Sequence, residues 1–144
     1  MGKMNRARVY LGGVLAGVFI FFADYVLHGL LLGADWKAAM AALGKPDTGQ
    51  NMASSMALFF AQALVVGIAA AWVYASIRPR YGAGPGTAVR GGLWVWIMTS
   101  VSPGLIETAL GLYPSKLVLV PLVGDLVIIQ LASQIAGALY KEAA

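Results

Sequence analysis

Asp24 and His28 stand four residues apart, and His28 is the only histidine in the chain. That spacing puts an acid and an imidazole on one face of a helix. Such a pair can exchange a proton, help to hold a cation, or tie neighbouring helices by hydrogen bonds. Two further acids, Glu107 and Asp125, also fall inside long apolar runs, whereas Asp35, Asp47 and Glu142 lie outside them. Counting along the runs puts Asp24, Glu107 and Asp125 in the outer half of a bilayer, with His28 nearer the outer surface. Thr99, Ser100, Ser102 and Thr108 belong to the same zone, and Gln130, Ser133 and Gln134 form a second polar group deeper in the last run.

A charge at mid-membrane costs at least ~2.5 kcal/mol on insertion scales. No lysine or arginine is placed deep enough in sequence to neutralise these acids. Either some carboxyls keep their protons, or His28 carries one, or a cation occupies the site. Three chemistries compete. The first is interhelical hydrogen bonding that only fixes packing. The second is a proton, ion or small-solute site built from Asp24, His28, Glu107 and Asp125. The third is ligation by His28, where an imidazole with acids would hold a divalent metal. One histidine cannot supply both axial ligands of a bis-histidine haem, and no cofactor is expected. Catalytic residues are not expected either. The chain has no GxSxG, HExxH, phosphate-loop or dinucleotide fingerprint, and no cysteine to act as nucleophile or ligand.

The elements that must carry these residues follow from hydropathy. The 144 residues are 60% hydrophobic and 11% charged, with mean hydropathy +0.78. A water-soluble domain needs more polar surface than this. The expected fold is all-α, a single membrane domain over residues 1–144 with spans at about 9–32, 52–77, 88–112 and 117–140. Each is long enough for ~30 Å of hydrocarbon. A short interfacial helix is expected after the first span, capped by Asp35 and anchored by Trp36 and Lys37. The basic N-terminus and apolar run superficially resemble a signal peptide, but the run is too long and reads as a retained helix. Gly44 to Asn51 reads as a turn-rich loop, and Arg78-Pro79-Arg80 as the stop of the second span. Pro103 predicts a kink or local unwinding inside the third span. Pro121 sits in the first turns of the fourth, where proline is easily tolerated.

Lys3, Arg6, Arg8, Arg78, Arg80, Arg90 and Lys141 fall on the side holding both termini, and Lys37, Lys45 and Lys116 on the other. The excess predicts cytoplasmic termini. The aromatics Tyr10, Trp72, Tyr74, Tyr81, Trp94, Trp96 and Tyr140 would lie near the inner interface, and Trp36 and Tyr113 near the outer one. The net charge of +4 comes from scattered residues, so it sets topology and does not predict nucleic-acid binding.

Close helix packing has its own pattern. Ala63, Gly67, Ala71 and Ala75 recur every fourth position, and Gly13 and Gly17 form a GxxxG. Stripes of small residues let backbones approach. They point to helix–helix association, as a homo-oligomer or as a small subunit of a larger membrane complex, with the lipid bilayer as the main partner. The pairs Gly12-Gly13 and Gly91-Gly92 open the first and third spans and suggest two repeated hairpins, with His28 in register with Glu107.

The stretches His28 to Lys37, Trp72 to Gly82 and Ala88 to Trp94 resemble small uncharacterised bacterial integral membrane proteins, a domain of unknown function. The resemblance runs over most of the chain. It implies a four-helix membrane fold in a bacterial inner membrane and supplies no activity or site residue. On sequence alone the leading expectation is a non-enzymatic protein acting through helix association. The alternative is a proton- or cation-sensitive transporter or channel-like protein.

Overall fold

The computed structural model describes residues 4–45 and 51–142. Residues 46–50 of the expected Gly44–Asn51 loop, and Lys3, lie outside them. Four helices have the length and hydropathy to cross a membrane: α1 (Arg6–Leu31), α3 (Met52–Tyr81), α4 (Pro85–Leu110) and α5 (Ser115–Leu139). A short helix, α2 (Gly33–Ala42), follows α1. The fold is therefore an all-α bundle of two hairpins, α1–α3 and α4–α5, with α2 added to the first.

Both described chain ends meet at one end of the bundle. Asn5 N donates to the Tyr140 hydroxyl at 3.4 Å, and Arg78 Nη1 lies 2.7 Å from Glu142 Oε1. The Arg78 guanidinium also sits 5.4 Å over the Tyr140 ring. The α3–α4 turn is at this same end, where Gly84 N donates to the Tyr74 hydroxyl at 3.1 Å. We call it the terminal end. The opposite, loop end carries α2 and the α4–α5 turn, joined by Lys116 Nζ donating to Asp35 Oδ2 at 2.8 Å.

Arg78-Pro79-Arg80 does not stop α3, which runs on to Tyr81. Pro79 costs α3 the bond that an N–H there would give the Ala75 carbonyl, yet the helix continues through Arg80 and Tyr81 before it ends. The turn is then closed by Gly82 N to the Arg78 carbonyl at 2.8 Å and by Thr87 Oγ1 to the Gly82 carbonyl at 2.8 Å. Gly82 takes φ +83°, which only glycine adopts without strain.

Glycine sets the closest approaches. A Cβ on Gly13 would lie 2.6 Å from the Ile68 Cα, and one on Gly17 2.7 Å from the Leu64 Cα. Gly67 faces both glycines from α3, and Ala63, Ala71 and Ala75 beside it are buried. The small-residue stripe thus lies inside the bundle, against the GxxxG of α1. It is not an exposed surface waiting for a second chain.

The two hairpins are arranged alike around their glycine pairs. Gly13 faces Ile68 of its own hairpin, as Gly92 faces Gln130 and Ser133 of its own. Gly12 faces Ala136 across the bundle, as Gly91 faces Val73 and Tyr74. The shift of 79 residues that aligns the glycine pairs matches Val9 with Ala88 and Ala16 with Val95, and a shift of 62 in the second helices matches Ala70 with Ala132 and Ala71 with Ser133; all eight are buried. Because α1 and α4 run in the same direction, this is a parallel repeat. The segment containing α2 is the addition that distinguishes the first hairpin.

Candidate functional site

Two spans depart from regular α geometry, and both do so where polar residues gather. Helix α1 widens into π turns over Tyr25–Leu31, directly after Asp24, and Leu32 N bonds the Leu27 carbonyl at 3.0 Å. Helix α4 widens over Ile97–Val101. The second case has a local cause. Pro103 has no N–H to offer the Thr99 carbonyl, and its ring would crowd that carbonyl in a regular turn. Widening relieves the clash, the local unwinding being the form the expected disturbance takes. Such π segments recur at functional positions because they re-aim side chains without ending the helix.

Helix α1 supplies Asp24 and His28, α5 supplies Asp125, and their ligand-type atoms lie within 4.8 Å of one another. His28 Nε2 is 3.9 Å from Asp125 Oδ1, with the two side chains 34% and 22% exposed. Ser100, carried on the widened turns of α4, donates from Oγ to Asp125 Oδ2 at 2.9 Å. Three spans therefore meet at one carboxylate. Asp125 lies nine residues along α5 from Lys116, roughly 13 Å from the loop end at ~1.5 Å per residue. That level is in the loop-end half of α5.

Trp36 turns towards the group from α2. Its Nε1 donates to His28 Nδ1 at 3.1 Å, and its ring packs edge-on to Tyr113 with centroids 5.1 Å apart. Sequence reasoning missed this partner because it ended the helical face at the bend after Leu32. The signal was present: Asp24, His28, Leu32 and Trp36 continue one four-residue spacing through that bend.

Not every polar residue of the zone joins the group. Glu107 is half-buried on α4 and is not one of the three clustered residues. The repeat explains its separation. Glu107 corresponds to His28, but the position corresponding to Asp125 is Ala63, and that corresponding to Ser100 is Phe21, whose ring packs on Phe60 at 5.2 Å. One side of the pseudo-symmetric bundle is polar and the other is apolar. Thr99 and Thr108 bond carbonyls of their own helix, Val95 at 2.8 Å and Gly104 at 2.7 Å, and Ser102 is exposed. The Gln130, Ser133 and Gln134 group lies against the start of α4, with Gln130 Nε2 reaching the Val89 carbonyl at 3.4 Å and Gln134 Nε2 the Pro85 carbonyl at 3.2 Å. Trp96 is not at the inner interface but midway along α4, donating to the Leu122 carbonyl at 2.9 Å.

Charge balance at the site is local. Among the described residues, lysine and arginine form ion pairs with Glu142 and Asp35, at the two ends of the bundle. Asp24 and Asp125 have His28 as their cationic partner when it is protonated. Compared with protein-family models, curated proteins and solved structures, the chain shows no match to any of the three.

Proposed function

We propose that the protein is a small non-enzymatic membrane protein whose working element is a proton-binding site formed by Asp24, His28 and Asp125, in the manner of a proton-responsive transporter or channel-like protein. The observation that carries this reading is the convergence of two carboxylates on one imidazole, with no lysine or arginine ion-paired to them among the described residues. Two carboxylates and one imidazole within this distance offer a proton several alternative positions between α1 and α5. Plain packing would be served by neutral hydrogen-bonding residues at lower cost. The π segments that aim Asp125's neighbours, and the open cleft of about 280 Å³ between α2 and the α4–α5 turn, supply adjustable structure on the loop side.

Reconstitution tests it. In sealed vesicles with a pH gradient and an enclosed pH indicator, the wild-type chain should dissipate the gradient, and Asp24→Asn with Asp125→Asn should abolish this. A wild-type chain indistinguishable from empty vesicles ends the transport reading. The excess of lysine and arginine at the terminal end supports cytoplasmic termini and a plasma-membrane setting, and the resemblance above adds a bacterial one.

A second reading, as a subunit of a larger assembly, is favoured by one feature. From Ile97 to Leu110, α4 has no buried residue, although this half carries Ser102, Glu107 and Thr108. Polar groups on an uncovered membrane face are better satisfied by another helix than by lipid.

A further inference from the structure

We infer that Trp36 keeps the Asp24–His28–Asp125 group from binding a metal ion, by holding His28 in the tautomer whose Nε2 carries the proton and has no lone pair for ligation. The inference rests on the reading of this group as the working site. It names the ligand class excluded and the residue that excludes it.

The three donor atoms suit a divalent transition metal in type, since one imidazole and two carboxylates are borderline-hard ligands. They are also near enough. Around one tetrahedral ion, with bonds of ~2.0–2.2 Å, neighbouring donor atoms stand about 3.4 Å apart. The group here lies within 4.8 Å, so a contraction of at most about 1.4 Å would close it.

The imidazole is set the wrong way for this. His28 turns Nε2 towards Asp125, so Nε2 is the ligand atom. To bind a metal, Nε2 needs its lone pair, and the proton of the neutral ring must then sit on Nδ1. In metal sites that second nitrogen donates to a carbonyl, carboxylate or water. Here it faces an indole N–H at 3.1 Å, and indole nitrogen is a donor only. Two donors would oppose each other. The Trp36 bond instead requires the lone pair on Nδ1 and leaves the proton on Nε2, directed at Asp125. The neutral ring is thereby poised beside a proton acceptor and closed to a metal. The indole ring packs edge-on against Tyr113, which limits its rotation.

The test uses the full-length chain in detergent, titrated with Co²⁺, whose visible absorption reports nitrogen and oxygen ligation. The wild type should show no band at Co²⁺ concentrations where Trp36→Phe does, or should bind at least about tenfold more weakly, the factor expected for one opposed buried donor. The band in Trp36→Phe should vanish when Asp125→Asn is added, and Zn²⁺ should displace it. Replacing Trp36 by benzothienylalanine, which keeps the bicyclic shape without the N–H, guards against a variant that fails to fold. Equal Co²⁺ affinity in wild type and both variants overturns the inference, as does a correctly folded benzothienylalanine variant that binds no Co²⁺. Proton flux is read separately. A wild type without flux, alongside metal binding unlocked at position 36, would sink the transport reading and leave the metal exclusion standing.

Discussion

Gly67 of α3 faces Gly17 of α1 so closely that a Cβ at position 67 would stand 2.6 Å from the Gly17 Cα. The atoms in the way are backbone, so the contact cannot be relieved by turning a side chain. Dispersion across such a seam grows as the helix axes approach, and this is a main attraction available between helices surrounded by lipid. Gly67→Leu should therefore lower the stability of the monomer itself, by about 3 kcal/mol or more, the upper range for overpacking. Unfolding in mixed micelles by increasing denaturing detergent measures it. A variant that unfolds like the wild type while changing its oligomeric state would show that the seam lies between chains instead.

How much of this was legible in the sequence follows a physical line. Span number, the extra helix and the hairpin order could be read because each depends on hydropathy summed along one segment. The small-residue stripe was visible too, but not its partner. Sequence spacing shows that Ala63, Gly67 and Ala71 share a face, and only the fold shows that the face is met by Gly13 and Gly17 of the same chain. Asp125 and His28 were legible as intramembrane polar residues, yet Glu107 looked equivalent. What separates it is the identity of the residues across the helix seams, Ala63 and Phe21 in place of Asp125 and Ser100. Trp36 was hidden by a bend that interrupts backbone geometry but preserves the side-chain face.

The two acids of the site should not be interchangeable. Asp125 is held by Ser100 at 2.9 Å and faces His28, whereas Asp24 shares a helix with His28. Asp125→Asn keeps an oxygen for Ser100 and loses the anion, so folding should change by less than about 1.5 kcal/mol while proton flux falls at least tenfold. Ser100→Ala should give a milder loss of flux, because it frees the carboxylate to rotate without removing its charge. Flux in sealed vesicles and thermal unfolding of the same preparations separate the two effects. Equal flux in all three proteins would remove Asp125 from the site.

The Lys116–Asp35 pair joins α2 to α5 at the loop end, but its side chains are 59% and 36% exposed. Exposed pairs contribute about 0–1 kcal/mol and are screened by salt. Lys116→Ala should leave stability nearly unchanged. Its effect should fall on α2, with faster amide hydrogen exchange over residues 33–42 than in the wild type and the difference shrinking at high salt. Unchanged exchange in α2 would mean that Trp36 and the apolar contacts of Leu32 and Ala39 hold it alone.

Absence of cysteine makes the uncovered half of α4 easy to probe. A single cysteine at Ser102 or Ile106, both exposed, places a thiol on that face. If the face meets a second copy, mild oxidation in native membranes should give a disulfide-linked dimer in high yield at one position and not at its neighbours on other faces, such as Val65. A cross-link to a different protein would identify a heteromeric partner. Equal low yields at every position would leave the face to lipid.

The last prediction concerns acidification. A protonated imidazole is a donor at both nitrogens. Protonation of His28 must therefore break the Trp36 bond at Nδ1 while strengthening attraction from Nε2 to Asp125. Every group facing the ring takes part. Asp24 lies one turn before it on α1, Asp125 faces it from α5, Ser100 of α4 holds Asp125 without titrating, and Trp36 of α2 is the donor displaced; the Asp35–Lys116 pair and Tyr113 border Trp36. The sign is then fixed: lowering pH should loosen α2 and tighten the contact between α1 and α5. With Trp72, Trp94 and Trp96 replaced by Phe, the emission of Trp36 should shift to longer wavelength as the imidazole titrates, reporting an indole moved towards water. The shift should be absent in His28→Gln, whose side chain offers an acceptor at all pH values. An equal shift in that variant would trace the change to the carboxylates or to the rim pair, and the imidazole would no longer be the link between proton binding and movement of α2.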